Sequence, residues 1–294
     1  MTTRDQSDVA TLAVVGAGTM GLAIARLLVE KGYVVRVFDP RGVDLPETST
    51  AVACTNLVDC VVGVDVVFEA IVEDLPAKQA LFREIQRLAG SVPLASNTST
   101  YRPSELAAGL EFPEALLVAH FFHPADVVPL VEVVPSPVTG PAALGAVRDV
   151  LTHSEKAVVT LAREVDGFLA NRLQCALIRE AVWLLREGVA SAEEIDKAVV
   201  QGIGPRWALA GPFEVMDRGG LDVWEAVTRR LFPSLSTESS TPKEISARVA
   251  RGNLGQKSGQ GFYGYGDADL SPLVRLHDVL AAATPGDRPA QEDS

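Results

Sequence analysis

The stretch that decides the fold is Thr11-Leu12-Ala13-Val14-Val15-Gly16-Ala17-Gly18-Thr19-Met20-Gly21, which runs on into an amphipathic segment ending near Glu30. Leu12 to Val15 reads as a buried strand, and Met20 to Glu30 reads as a helix, with apolar residues at three- and four-residue steps. The turn between them is G-x-G-x-x-G. Gly16 permits the tight turn, Gly18 lets the backbone approach a pyrophosphate, and Gly21 lets helix and strand pack closely. Thr19 and Met20 belong to the same cofactor-binding turn, where the helix N-terminus offers N–H groups and a partial positive charge to phosphates. The next strand, Val34 to Phe38, ends at Asp39, about 20 residues on, where a carboxylate accepts hydrogen bonds from the adenosine ribose hydroxyls. The same charge repels a 2′-phosphate and favours NAD over NADP. Arg41, two residues later, argues the other way.

Outward from this unit, short apolar runs alternate with amphipathic segments as far as Pro135, the rhythm of a parallel sheet covered by helices. Further strands are expected at Val66 to Glu69, Pro93 to Ser96, Leu116 to Ala119 and Leu130 to Val134, and a further helix at Pro76 to Leu88. After Asp166 the character changes. Phe168 to Glu187 and Ala192 to Val200 read as helices, Gly202 to Pro205 as a turn, and more helical pattern follows. The expected fold class is therefore α/β: an N-terminal Rossmann-type doubly wound sheet over residues 1–164, then a smaller all-helical domain over 165–282 for substrate and dimerisation. Residues 283–294, rich in Pro, Asp, Glu and Gln, are expected to be a disordered acidic tail. A length of 294 residues suits two domains.

Composition narrows the partners. A net charge of -12 opposes a nonspecific nucleic-acid or anionic-membrane binder and leaves small molecules as the expected ligands. Met1 to Ala10 lacks the basic flank and apolar run of a secretory signal, and every apolar run is broken before about 18 residues, so a cytoplasmic protein without a membrane span is expected. Cys54, Cys60 and Cys175 include no C-x-x-C pair and read as reduced, largely buried thiols with no metal role.

A Rossmann domain names a cofactor and no reaction. Of the four histidines, His153 and His277 sit among polar neighbours in helix-like segments and read as surface residues. His120 and His123 lie in Ala119-His120-Phe121-Phe122-His123-Pro124, just past a strand's C-terminal end, where open parallel sheets bind ligands. Glu132, twelve residues on, interrupts the apolar run Leu130-Val131-Glu132-Val133-Val134, where a carboxylate is costly to bury without a partner. A return strand would bring it beside His120 and fix the imidazole's tautomer. These residues alone fit a core histidine and a strand-edge glutamate more readily than a working pair.

The chain resembles the L-3-hydroxyacyl-CoA dehydrogenase family, which includes the lambda-crystallin and L-gulonate 3-dehydrogenase branch. The resemblance rests on GAGTMG (16–21), FEAIVED with a later Lys (68–74, Lys78), ASNTS (95–99), HFFHP (120–124), LVEVV (130–134), DGFLANR (166–172), GPFEVMD (211–217) and GQKSGQGFYGY (255–265), in family order. It implies NAD as cofactor, His120 as general base supported by Glu132, and Ser99 and Asn171 hydrogen-bonded to the substrate's reacting oxygens. It places Glu73 and Lys78 at the nicotinamide half of NAD, with Asn97 in the cofactor site, and it implies a homodimer through the helical domain. Without it, Ser99 reads as a helix cap before Pro103, Asn171 as a cap or a bridge between helices, and Lys78 as a solvated lysine. The implied substrate is a short 3-hydroxyacyl group on CoA; a free 3-hydroxy acid, a carrier-protein-bound group and a crystallin-like structural role are the alternatives.

Two departures bear on the substrate. Family members carry a long helical hairpin after the ribose-binding acid, reaching toward CoA, but only Pro40 to Thr50 separate Asp39 from Ala51 here. Two helices of three turns need about 22 residues, so a loop is expected instead, with a more open mouth. His123 stands where the common motif has Asn, which changes the donor and acceptor pattern nearby.

Overall fold

The computed structural model describes residues 10–266. The chain divides into two compact units, with the division between Arg172 and Leu173. The first is built on eight strands: β1 (Thr11–Val15), β2 (Val34–Phe38), β3 (Val52–Ala53), β4 (Val66–Glu69), β5 (Leu94–Ser96), β6 (Leu116–Phe121), β7 (Leu130–Pro135) and β8 (Ala157–Thr160). They form one sheet in the order β3-β2-β1-β4-β5-β6-β7-β8. Only the β6–β7 pairing is antiparallel. The order reverses direction between β1 and β4, and the crevice beyond the carboxyl ends of those two strands is where such sheets take a dinucleotide.

Alternation along β1 divides the core into two. Leu12 and Val14 face α1 (Thr19–Glu30) and α5 (Pro141–His153), where they pack with Ile24, Leu28, Val147 and Leu151. Ala13 and Val15 face the opposite layer of α2 (Leu57–Val61), α3 (Leu75–Ala89) and α4 (Pro103–Leu106), against Phe82, Ile85 and Leu106. A strand covered on both faces is written as an unbroken apolar run, which is why β1, β4 and β6 were legible. The strand β3 was not anticipated, and β8 was read only as an apolar strand-like run ahead of the domain boundary. Both lie at sheet edges, are largely exposed, and so lack the buried run that marks a central strand. The segment 40–51 contains no helix and is a loop, as its length required.

The second unit takes up α6 (Ala170–Arg186) from its fourth residue onward and continues with α7 (Ala192–Ala198), α8 (Gly204–Leu209), α9 (Pro212–Gly219), α10 (Leu221–Leu231) and α11 (Lys243–Ala250). Arg186 pairs with Glu238 at 2.8 Å, and the Ser236 amide donates to Glu180 at 2.8 Å, tying α6 to the segment beyond α10. Gly202 to Pro205, expected as a turn, is instead continuous helix. A π-helical stretch Val199–Ile203 runs directly into α8, whose second residue is Pro205. Cys60 is buried and Cys54 half-buried, but Cys175 is exposed on α6, contrary to the expectation for all three thiols. His153 is exposed at the end of α5, as expected, with its ring edge-on to Tyr33. The expected acidic tail and His277 lie outside the described residues. Among the described residues no helix is long and apolar enough to cross a membrane.

Candidate active site and cofactor cleft

The glycine turn is dictated by space. Gly16 adopts φ of 106°, and a Cβ there would stand 2.5 Å from the Ala70 carbonyl oxygen; a Cβ on Gly21 would stand 1.8 Å from the Gly16 oxygen. Gly18 is different, because a Cβ there would meet nothing within 4 Å. It opens onto a cavity of about 580 Å³ whose lining includes Thr19, Met20, Asp39, Arg41 and Asn97. No acidic residue occupies the first turn of α1 and no side chain caps it, so its positive end faces the cleft unopposed. These features fit a dinucleotide with its pyrophosphate over Gly18 and its ribose toward Asp39.

Asp39 closes β2 with its carboxylate almost fully engaged. One oxygen accepts from the Ala17 amide at 2.9 Å and Arg41 Nη2 at 3.0 Å, the other from the Arg41 amide at 2.9 Å and Nε at 3.0 Å. The hydrogen-bonded Arg41 guanidinium, with the Ala17 and Arg41 amides, holds this carboxyl well below the usual carboxylate range despite its burial. Asp39 is thus a fixed negative charge at the adenosine end of the cleft.

The end of β4 carries a buried charge cluster. Glu69, fully buried, accepts from Lys78 Nζ at 2.6 Å, Ser96 Oγ at 2.5 Å and the Ile71 amide at 2.7 Å. Lys78 is 1% exposed and also approaches Glu73 at 3.3 Å, so it is not the solvated helix lysine expected from the residue alone. Asp74 caps α3 through the Ala77 amide, which sets the first turn of the helix so that Lys78 points inward at the strand end. Glu73 in turn accepts from Thr98 Oγ1 at 2.5 Å and from the Ser99 and Thr100 amides at 3.1 Å each. Burial raises the Glu73 pKa, but the Thr98 hydroxyl, Lys78 and Thr100 outweigh it and the net shift is downward. The cluster therefore shapes the 97–100 loop that carries Ser99. Ser99 is exposed and caps no helix; α4 begins beyond it, with Arg102 at the N-cap. Asn97 accepts from the Phe121 amide at 2.9 Å, tying this loop to the end of β6.

Across the antiparallel β6–β7 pair, His120 stands directly opposite Glu132. His120 Nδ1 and Glu132 Oε2 are 2.8 Å apart, and both side chains are nearly fully buried. The other oxygen, Oε1, accepts from the Leu169 amide at 2.8 Å and the Ala170 amide at 2.9 Å. Burial alone raises the Glu132 pKa, but the bonds from His120, Ala170 and Leu169 outweigh it and lower it. An ionised Glu132 is acceptor-only, which assigns the proton to Nδ1 and leaves the Nε2 lone pair of His120 to take a proton. The ring is held by Phe122 at 4.6 Å and Phe168 at 5.5 Å between centroids. Asn171 follows Ala170 in the first turn of α6, so the carboxylate that orients the histidine also anchors the turn carrying Asn171.

The structure thus joins His120, Glu132 and the Asn171 turn in one network, and Ser99, Glu73 and Lys78 in another. Sequence reasoning missed Glu69 and Ser96. The signal was available: Val66-Val67-Phe68-Glu69 ends an apolar strand in a carboxylate, which needs a partner if buried, the argument applied to Glu132. It also missed the bidentate Arg102–Asp166 pair, 2.6 Å at both contacts, which links the Ser99 loop to the segment entering α6. Among the described residues no group of three or more His, Cys, Asp or Glu is arranged to hold a metal ion.

Residues 11–53 and 43–165 match the family model described as 3-hydroxyacyl-CoA dehydrogenase, NAD binding domain, and residues 167–265 match the C-terminal domain of the same family. Similar proteins include the 5-formyl-3-hydroxy-2-methylpyridine 4-carboxylate 5-dehydrogenase of Mesorhizobium japonicum, 30% identical over 86% of this chain and 90% of that one. A crystal structure of an enzyme of that name, described as an NAD+ dependent dismutase, has a TM-score of 0.85 at 28% identity and covers 94% of this chain and 97% of its own. The 3-hydroxyacyl-CoA dehydrogenase of Archaeoglobus fulgidus has a TM-score of 0.69 at 30% identity, covering 93% of this chain and 98% of its own.

Proposed function

Because the chain belongs to the 3-hydroxyacyl-CoA dehydrogenase family and carries its NAD-binding domain, we propose that it catalyses reversible oxidation of the 3-hydroxyl of a short 3-hydroxy acid or acyl substrate, with His120 as general base. The observation that carries this reading is the buried His120–Glu132 pair, with the carboxylate saturated by His120 and two backbone amides. Bound NAD supplies the hydride acceptor. Nε2 of His120 takes the hydroxyl proton, and Glu132 stabilises the imidazolium that results. Ser99 and Asn171 hold the substrate oxygen by the family resemblance, while Glu73, backed by Lys78 and Glu69, sets the loop at the nicotinamide end. In the reverse direction His120 returns the proton.

The substrate class is drawn from the loop at 40–51. No helical hairpin stands there to contact a CoA nucleotide. The chain is also closer in shape to the pyridine carboxylate enzyme, whose named substrate is a free acid, than to the Archaeoglobus CoA enzyme. A free 3-hydroxy acid, or an acyl group on a carrier protein, is favoured over strong recognition of CoA. The test is initial rates with NAD on 3-hydroxybutyrate presented as free acid, CoA thioester and carrier-protein thioester. A micromolar KM for the CoA thioester, with a loss of kcat/KM of at least about a hundredfold on shortening CoA to pantetheine, opposes this class, since that loss is worth about 2.7 kcal/mol of nucleotide recognition.

The reading includes a cytoplasmic homodimer formed through the helical unit. Its support is apolar surface on α8–α10, where Leu209, Phe213 and Leu221 are each at least 60% exposed, and in three free thiols that suit a reducing compartment. Sedimentation as a monomer at all concentrations counts against it.

A further inference from the structure

Lys156 is a buried cation that the mechanism above does not use. It precedes β8, is 9% exposed, and donates from Nζ to the carbonyl oxygens of Ala125 at 2.7 Å and Val128 at 2.9 Å. Both carbonyls belong to residues 122–129, the connection between the strand bearing His120 and the strand bearing Glu132. Within that connection the local hydrogen bonds run from the Val127 and Val128 amides to the Pro124 oxygen, which turn the chain after His123 and leave the Ala125 and Val128 carbonyls to Lys156. Burying an ammonium is costly, and an apolar side chain of similar length would fill the same volume without that cost. The cost is offset only if the two carbonyls need donors, and a lysine ammonium has three. Asp126, the acid nearest in effect, is engaged by Arg26 of α1 at 3.1 Å, so the ammonium is held chiefly by the carbonyls.

We propose that Lys156 is a positioning residue for the reaction: by bonding the Ala125 and Val128 carbonyls it fixes the connection that begins at Phe122, whose ring packs against His120. With the Arg26–Asp126 pair, it clamps this connection between the start of β8 and α1, the helix of the cofactor turn. The role rests on His120 being the base. Misplacement of a reacting group by about 1 Å costs up to about a hundredfold in rate. The donors of Lys156, more than its bulk, therefore determine turnover.

The test compares Lys156→Met, which keeps the length and removes the donors, with Lys156→Ala assayed with and without propylammonium, the fragment it lacks. His120→Gln is the control. Turnover is measured with NAD and the form of 3-hydroxybutyrate that the unmodified protein oxidises, and NAD binding is measured by fluorescence titration. Lys156→Met is expected to lose between about tenfold and a hundredfold in kcat, with the Kd for NAD unchanged. Propylammonium is expected to restore turnover of Lys156→Ala, and tetramethylammonium, a cation without N–H donors, is not. Full kcat in Lys156→Met, equal rescue by tetramethylammonium, or loss of NAD binding alongside turnover in both variants each overturns the positioning role. If His120→Gln keeps its kcat, the base assignment falls and this proposal with it. Loss of kcat in His120→Gln with full kcat in Lys156→Met sinks the positioning role alone.

Discussion

Replacing Glu132 by Gln isolates one charge in the site with little change of volume. In the wild type one oxygen faces His120 Nδ1 at 2.8 Å and the other faces two backbone N–H groups. A glutamine must keep its carbonyl oxygen toward the Leu169 and Ala170 amides, which turns its NH2 toward Nδ1. Nδ1 then becomes an acceptor and the proton moves to Nε2, the atom proposed to receive the substrate's proton. The charge lost is also the one that stabilises the imidazolium. Opposite unit charges about 4 Å apart at an effective dielectric near 20 attract by about 4 kcal/mol, or about three decades in rate. The same acid-to-amide change in a Ser-His-Asp triad costs about 10⁴ in kcat. We expect kcat to fall about a thousandfold, measured from the first turnovers by NADH absorbance, with NAD affinity from equilibrium titration unchanged. A kcat within about tenfold of the wild type, a barrier change of about 1.4 kcal/mol, refutes both the tautomer assignment and the electrostatic role.

NAD is expected to exceed NADP in kcat/KM on the proposal that the Asp39 carboxylate, at the end of β2, receives the ribose hydroxyls, and Asp39→Asn is expected to narrow the gap; equal use of the two cofactors by the unaltered chain rejects the role of Asp39. Acid unfolding follows from Asp39, Glu73 and Glu132, all with pKa values lowered in the folded chain. A depressed carboxyl adds stability above its unfolded value near pH 4 and loses it as pH falls through the folded value. Denaturant titrations below about pH 4 should show a steeper loss in the wild type than in Glu132→Gln, and parallel curves would contradict the linkage. In the native protein a thiol reagent is expected to modify Cys175 first and Cys60 last, since Cys175 is exposed and burial pushes the Cys60 thiol up to about 12. Peptide mapping after timed labelling gives the order, and early modification of Cys60 contradicts it.

Legibility in the sequence followed the range of the interaction. The glycine turn was readable because Gly16 and Gly21 answer contacts within one strand–turn–helix unit and its immediate neighbour at Ala70, while Gly18 leaves the cleft open. His120 and Glu132 were readable as a possibility because an antiparallel return places residues twelve apart opposite each other, and the family motifs then chose between the possibilities. The second half of Glu132's environment was not readable. Its partners are amides 37 and 38 residues away, and a backbone N–H leaves no trace in residue identity. Lys78 misled for a related reason. Its partner Glu69 lies on a strand nine residues back, and only packing of the α3 turn against that strand end buries both. Lys156 gave no signal at all, because its acceptors are main-chain carbonyls.

The short connection at 40–51 has a consequence for how such proteins diversify. It joins β2 to the edge strand β3, outside both apolar clusters except where Val43, Leu45 and Ala51 pack from the side. Loop-closure entropy grows only with the logarithm of length, so a fourfold longer connection costs about 1.2 kcal/mol. Neither the Asp39 corner before it nor the strand pairing after it constrains what is inserted between them. This edge is therefore a detachable module, open to gain, loss or grafting while the buried His120–Glu132 pair elsewhere in the sheet stays as it is. A transplanted CoA-binding hairpin at Pro46 is the natural experiment in evolvability that this chain offers.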